Sequence, residues 1–420
     1  MNRKIISCIL FFLTFTMMLF IVFTKIIGYI ENKNSETVAR WEAEIDFPIE
    51  DTHIELSQKS KSNIYEYENT VNGITDKIEN IFTTEFKYRY FFVILKNQFL
   101  KLLGQDMTVA LANGQDDQDL VVHYQNSEDS LSMPMHDVNI DRKVEAVIEF
   151  GKGIEEKGIN FLFFEVPDKC SGEGMYLDYS QEKNVQFHEA MEEAELRVLT
   201  VKDYFNKPSE SYFYKTDHHW LPETGIWADK ILCNYMNSEF GYSVNTEIYE
   251  CGKYRTEVFN EPFLGSLGKK VTHVYTNADE FKIIYPQYQT DLTVFVSNQN
   301  KIFSGSIEET LFDYSALESK GLYEDNFYAF YGYGDNAWIN IHNNMLHDGS
   351  RVLLLKQSYA NCMYPFLGFS FEDMDVIDLR HFNGSLEKFI LDRKPQTVII
   401  CYGIDSFSEK GNENSLFDFR

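Results

Sequence analysis

The sequence predicts an α/β protein: a mostly parallel sheet with helices on both faces, a β-rich insertion, and a transmembrane helix at the amino terminus. Three observations carry this reading. From Asp141 to the carboxyl end, short apolar runs of strand length alternate with amphipathic stretches of helix length, the pattern of a parallel sheet buried on both faces. The alternation breaks between Asn237 and Phe330, where Gly and Asn punctuate short β-type runs. Ile5 to Thr24 contains no charged residue and is rich in Leu, Ile, Phe and Met.

That first segment, at about 1.5 Å rise per residue, spans roughly 30 Å, the thickness of a bilayer's hydrocarbon core. Arg3 and Lys4 precede it, so the amino terminus is expected in the cytoplasm. A cleaved signal peptide is the competing reading. Such peptides have a shorter apolar region and a small-x-small site, which Thr24-Lys25-Ile26-Ile27-Gly28-Tyr29 does not provide. The expected organisation is a cytoplasmic tail over 1–4, an anchor over 5–28, a stalk and packing segment over 29–105, and a catalytic domain over 106–420 with its insertion at about 240–330. The stalk is acidic from Glu31 to Thr70, and aromatics cluster from Ile81 to Leu103. On either reading of the first segment, the bulk of the chain lies outside the cytoplasm.

Within the domain, Val144, Val147 and Ile148 recur at helical spacing over Asp141–Glu156. Ile159–Val166 is an apolar run stopped by Pro167, a buried strand. Glu182–Arg197 reads as helix and Val198–Val201 as strand. Pro222 stands where a helix starts, and Ile226, Trp227, Ala228, Ile231, Leu232 and Tyr235 give it an apolar face. In the insertion, Thr272–Tyr275, Phe281–Tyr285 and Leu292–Val296 read as strands. Val352–Leu355 is a strand, Tyr359–Phe369 a helix, and strands Val376–Leu379 and Val398–Cys401 flank a helix over Ser385–Arg393.

The bulk numbers bound the function. With 420 residues, 44% hydrophobic, 35 Phe and 26 Tyr, the chain can bury one large core or two moderate ones. A net charge of −27 without a basic stripe opposes nucleic-acid binding. Cys8, Cys170, Cys233, Cys251, Cys362 and Cys401 show no CxxC spacing, so zinc ligation is not expected and buried free thiols are.

The chemistry is carried by Lys215-Thr216-Asp217-His218-His219-Trp220. In a short extended segment, Asp217 and His219 project to one side and His218 to the other. A carboxylate so placed orients an imidazole, which is half of a hydrolase-type triad. The nucleophile is Ser358, between the Val352–Leu355 strand and the helix expected after it. There it lies at the carboxyl edge of the sheet, with its own amide at a helix amino end as oxyanion donor. Acyl transfer from an ester needs these parts: nucleophile, base and oxyanion donors. Gly334 and Asn336, in Tyr331-Gly332-Tyr333-Gly334-Asp335-Asn336, are further oxyanion candidates or form a Gly-rich turn. Tyr359 and Asn361 line the site or pack the following helix. No metal or cofactor is expected. The Asp217-His218-His219 string also occurs in DHH-type phosphoesterases, which bind manganese with the help of aspartates on other strands; no supporting Asp-x-Asp pattern on a strand is read here.

The stretch Thr216-Asp217-His218-His219-Trp220, followed by Thr224-Gly225, resembles the signature of the DHHW family of extracytoplasmic proteins. These are similar to the alginate O-acetylation proteins, which have an SGNH-hydrolase-like fold. In that group the Asp-x-His motif precedes the serine, and the serine motif commonly reads Lys-Asp-Ser-Tyr-(Ala/Gly)-Asn followed by Pro-Phe-Leu. This chain has Lys356-Gln357-Ser358-Tyr359-Ala360-Asn361, then Pro365-Phe366-Leu367. Val166-Pro167-Asp168-Lys169 and Phe263-Leu264-Gly265-Ser266-Leu267-Gly268 are two smaller echoes, and the resemblance covers roughly Asp106 to Phe407. It implies Asp217, His219 and Ser358 as a triad. It also implies O-acetyl transfer to, or removal from, a cell-surface or exported polysaccharide, with an integral-membrane acyltransferase as the partner that supplies acetyl groups. Gln357 stands where the family has an acid, so no role is carried over there, nor to His218. The alternatives are a non-catalytic membrane-anchored scaffold or carbohydrate-binding subunit, and a metal-dependent DHH-type phosphoesterase.

Overall fold

The computed structural model describes residues 89–102, 104, 122–123, 129–132, 140–169, 175–407 and 415–420. The anchor expected over 5–28 and the acidic stalk lie outside the described residues. Among the described helices, none is long and apolar enough to cross a membrane.

In chain order the described strands are β1 (Val122–His123), β2 (Leu131–Ser132), β3 (Asn160–Glu165), β4 (Val198–Thr200), β5 (Tyr254–Phe263), β6 (Asp279–Pro286), β7 (Leu292–Val296), β8 (Lys301–Gly305), β9 (Trp338–Asn343), β10 (Arg351–Lys356), β11 (Asp373–Ile377) and β12 (Thr397–Tyr402). The helices are α1 (Arg89–Leu102), α2 (Asp141–Glu156), α3 (Met175–Glu193), α4 (Pro222–Phe240), α5 (Ser266–Val271), α6 (Ile307–Thr310), α7 (Tyr364–Leu367) and α8 (Leu386–Arg393).

Eight strands form one mixed sheet in the order β4-β3-β12-β10-β11-β9-β7-β8. The first five are parallel. Their alternate residues fall into two separate cores. Leu162, Phe164, Val352, Leu354, Ile399 and Cys401 belong to one core, which α4 and α7 cover. Phe161, Phe163, Leu353, Leu355, Val398 and Ile400 belong to the other, which α2, α3 and α8 cover. Successive strand residues face opposite sides, so a run such as Leu353-Leu354-Leu355 must be apolar throughout to bury both faces.

The other three strands extend the sheet antiparallel. β9 pairs with β11, β7 with β9, and β8 closes a hairpin on β7. Part of the segment read as an insertion therefore belongs to the main sheet, and the sheet is parallel over one half only. β5 and β6 make a separate antiparallel ribbon whose register shifts between Phe259 and Phe263. Thr272–Tyr275 is not a strand. It is the turn after α5, entered through Thr272 at φ 65. The helix expected over Tyr359–Phe369 is broken into a 3-10 turn at Ser358–Cys362, the short α7 and a second 3-10 turn at Gly368–Ser370. Pro365 sits at the start of α7, where its missing N–H costs nothing. It could not have continued a helix from Ser358, because it has no amide to donate one turn back.

The chain leaves β3 toward β4 on one side and β10 toward β11 on the other. Such a reversal opens a crevice at the carboxyl ends of the strands, and Ser358 lies two residues beyond the end of β10.

Candidate active site

Ser358 opens the 3-10 turn after β10 and is half-buried, between the buried Gln357 and Tyr359. Its amide makes no hydrogen bond among the described residues. The turn is held from below. The Tyr359 carbonyl accepts from Trp220 Nε1 at 2.8 Å and from the Tyr328 hydroxyl at 2.9 Å. Burial pushes the Tyr328 phenol up, so it stays protonated and can donate. Gly225, on α4, lets that helix close on the turn: a Cβ there would stand 3.0 Å from Cys362 Sγ and 3.1 Å from its carbonyl oxygen.

His219 Nε2 lies 2.8 Å from Ser358 Oγ, and His219 Nδ1 lies 2.5 Å from Asp217 Oδ1. The ionised carboxylate only accepts, so Nδ1 carries the proton and Nε2 is left to accept from the serine. The structure thus brings Asp217, His219 and Ser358 together, with the local geometry differing from an extended segment. Phe213 and Trp220 form a bridge, and residues 216–219 make a tight bend between them. Asp217 Oδ1 also accepts the His219 amide at 3.0 Å, a side chain bonding the backbone two residues on. That bend, rather than the pleat of a strand, joins the two residues. His218 does not point away. Its ring lies 3.9 Å from that of His219, and its Nδ1 lies 2.9 Å from Ser266 Oγ.

Residues distant in sequence hold the bend. Asp279 accepts from the Lys215 amide, the Thr216 amide and the Thr216 hydroxyl, at 2.8, 2.8 and 2.5 Å. The Ser266 amide donates to Asp217 Oδ2 at 2.6 Å, and the Gly268 amide to the Thr216 carbonyl at 2.8 Å. Burial would raise the Asp217 carboxyl, but the two imidazoles and the Ser266 amide outweigh it and hold it well below the usual carboxylate range. The Tyr328 ring stacks on His219 at 4.0 Å. Sequence reasoning missed Asp279 and Tyr328, because neither lies in a local motif. It noted Ser266 only as part of an echo, without a role.

The remaining lining candidates divide. The Tyr359 ring packs 5.3 Å from His219 and 5.7 Å from His218. The Asn336 amide is used inside its own loop, donating to the Gly332 and Tyr333 carbonyls at 3.3 and 3.1 Å, so it is not free to meet an oxyanion. Gly334 is left-handed at φ +70 and its amide donates to Tyr331; the glycine serves the turn. Asn361 accepts from Lys356 Nζ at 2.7 Å and donates to Asp335 at 3.0 Å.

Those contacts belong to an ionic cluster under the serine turn. Lys356, 1% exposed, also reaches Asp335 at 2.9 Å and Asp378 at 3.3 Å, and Arg380 bonds Asp378 at 2.7 Å. Asp335, Asp378 and His381 have metal-like spacing, as do Asp217, His218 and His219. Cations already neutralise the first set, while Asp217 and His219 spend their ligand atoms on each other, Ser266 and Ser358. The Asp-x-Asp pattern on a strand, which a phosphoesterase would need, does occur as Asp373-Met374-Asp375 at the start of β11. That is the amino edge of the sheet, away from Ser358. Asp375 is taken by Trp338, Asn340 and Arg393, and Asp373 faces His342. Cys233, Cys362 and Cys401 are buried free thiols, and Cys251 is an exposed one.

Fold and site define a mixed α/β protein with a large sheet and a hydrogen-bonded Asp217-His219-Ser358 line at its carboxyl edge. Residues 196–377 match the family model described as DHHW protein, the family whose signature the motif around His219 resembles. No curated protein matches the chain. Among solved structures, Bacillus cereus PatB1 is 21% identical with a TM-score of 0.56, the match covering 72% of this chain and 99% of that one. The same protein with a sulfonyl adduct gives 20% and 0.57, over 72% and 98%. A DHHW family protein from Eubacterium siraeum DSM 15702 gives 19% and 0.53, over 72% and 96%. At these identities the likeness is one of fold.

Proposed function

We propose that this chain is an SGNH-like serine acyltransferase or esterase that moves O-acetyl groups on a cell-surface or exported polysaccharide. The observation that carries the reading is the hydrogen-bonded line from Asp217 through His219 to Ser358. In the proposed reaction, Ser358 Oγ attacks the acetyl carbonyl carbon as His219 Nε2 takes the hydroxyl proton. Asp217 holds the imidazole and balances its charge. The Ser358 amide faces the oxyanion. Collapse breaks the bond to the leaving alcohol, which takes the proton from His219. A sugar hydroxyl or water then attacks the acetyl-serine with the same proton traffic in reverse, giving transfer or hydrolysis. An integral-membrane acyltransferase is the proposed source of acetyl groups. The uncharged segment after Arg3-Lys4 supports an anchored, outward-facing enzyme, which protease added to intact cells would digest.

The test is turnover of an activated acetyl ester, with and without oligosaccharide acceptors, together with labelling by a sulfonyl fluoride. That probe is suggested by the sulfonyl adduct recorded for B. cereus PatB1. Ser358→Ala should fold, lose turnover and lose the label. Undiminished labelling in the variant would refute the nucleophile. Loss of wild-type turnover on chelation, restored by manganese, would favour the phosphoesterase reading. Glycan binding without turnover in any condition would favour the scaffold.

A further inference from the structure

Where the chain leaves β3 it runs Val166-Pro167-Asp168-Lys169, toward the edge of the sheet that carries Ser358. Lys169 is 3% exposed. Its ammonium donates to the carbonyls of Tyr214, of Lys215 at 3.0 Å and of Asp217 at 3.1 Å. An ammonium has three donors, and here all three are spent on one short loop. We propose that Lys169 is a positioning residue for acyl transfer: its buried ammonium clamps the backbone of the bend that presents Asp217 and His219 to Ser358. The inference rests on reading those three residues as the catalytic relay.

The bend turns three carbonyl oxygens toward one point, where their dipoles repel unless a donor stands between them. Only a cation with several protons satisfies all three at once. Burial of an ammonium is costly unless it is fully hydrogen-bonded, and an apolar side chain of the same length would fill the space without that cost. Lys169 is therefore placed for its charge and its donors. The groups whose charges bear on it are Asp279, at the start of β6, and Asp217 and His218 of the bend. Burial pushes Lys169 down to about 7, with Asp279 and Asp217 pulling against it. Below that value the clamp has three donors. Above it the neutral amine keeps two, and one carbonyl is released.

The test compares Lys169→Gln, which keeps a donor and removes the charge, with Lys169→Arg, which keeps both and stays charged at all working pH. Three quantities are measured on the full-length protein: kcat and KM on an activated acetyl ester, the low-field proton resonance of the His219–Asp217 hydrogen bond, and thermal melting. Lys169→Gln should fold, lose about tenfold or more in kcat with KM nearly unchanged, and broaden or lose the low-field resonance. Lys169→Arg should restore part of both, and its kcat should lack the decline above about pH 7 expected of the wild type. A folded Lys169→Gln with wild-type kcat and an unaltered resonance overturns the proposal. Failure of both variants to fold also overturns it, since Lys169 would then serve folding alone. The resonance does not depend on turnover. A wild-type protein that shows it without moving acetyl groups sinks the acyl-transfer reading, and the clamp is then judged on the resonance.

Discussion

His218 and His219 are neighbours and both present Nδ1 to Asp217 Oδ1, at 3.5 and 2.5 Å, yet only His219 also reaches Ser358. Both ring nitrogens of His219 are committed along one line, Nδ1 to Asp217 and Nε2 to Ser358. His218 offers Nδ1 to Ser266 and packs its ring over that of His219. His219→Ala should therefore lower kcat by on the order of 10⁴ or more, as loss of a triad member does. His218→Ala removes the bond to Ser266, a packing face and a 3.5 Å contact with Asp217, and should cost only about tenfold. Steady-state rates of the two variants check this, and the opposite ranking would transfer the base to His218. The motif in the sequence was enough to choose these residues. Its geometry was not legible, because the choice between a strand and a tight bend depends on Asp217 bonding the His219 amide and on Asp279 and Lys169 holding the loop from far along the chain.

Among the elements, α5 and the loop before it are as much part of the site as the strand that carries Ser358. The Ser266 amide meets Asp217 because Gly265 lets the two backbones touch. Gly265 has an ordinary φ of −70, so its importance is one of space. A Cβ there would collide with Asp217 Cβ and lie 2.6 Å from the Thr216 carbonyl oxygen. Gly265→Ala should push Asp217 out of line and lower kcat by about 10²-fold, the usual cost of an ångström of misplacement at a reacting centre. Gly252 is the control: a Cβ added there would meet nothing within 4 Å, and Gly252→Ala should keep wild-type kcat. Equal rates for the two variants would remove Gly265 from the site. The parallel strands were readable from apolar runs because both faces are buried. β7, β8 and β9 were harder to place. Their membership of the main sheet is decided by register with β11, and β8 is a short edge strand whose Lys301, Ile302 and Ser304 are all exposed, so its sequence shows no alternation of buried and exposed residues.

For the whole molecule, the sequence speaks clearly about layers and poorly about polar ties between them. The two cores follow from alternating residues of β3, β10 and β12, whereas the cluster of Asp335, Lys356, Asp378 and Arg380 joins the ends of separate elements and leaves no local pattern. Its contribution to stability is open to measurement. Burial would raise the Asp378 carboxyl, but the Lys356 ammonium and the Arg380 guanidinium outweigh it and hold it below the usual range. A carboxyl lowered on folding stabilises the native state above its unfolded value of about 3.9, and the stabilisation is lost as pH falls through the folded value. Asp378→Asn leaves the buried Lys356 short of a counter-charge, which should cost about 3–5 kcal/mol near neutral pH. Asp335 remains to pair with Lys356, which places the cost at the lower end. Thermal melting of wild type and variant, from about neutrality down to about pH 3, reads both effects. The gap in melting temperature should hold steady down to about pH 5, begin to narrow near the unfolded value of about 3.9, and close only as pH falls through the lowered folded value, where the wild-type carboxyl takes up its proton. A gap that stays constant to the lowest pH would mean that the cluster acts through packing and hydrogen bonds rather than through charge.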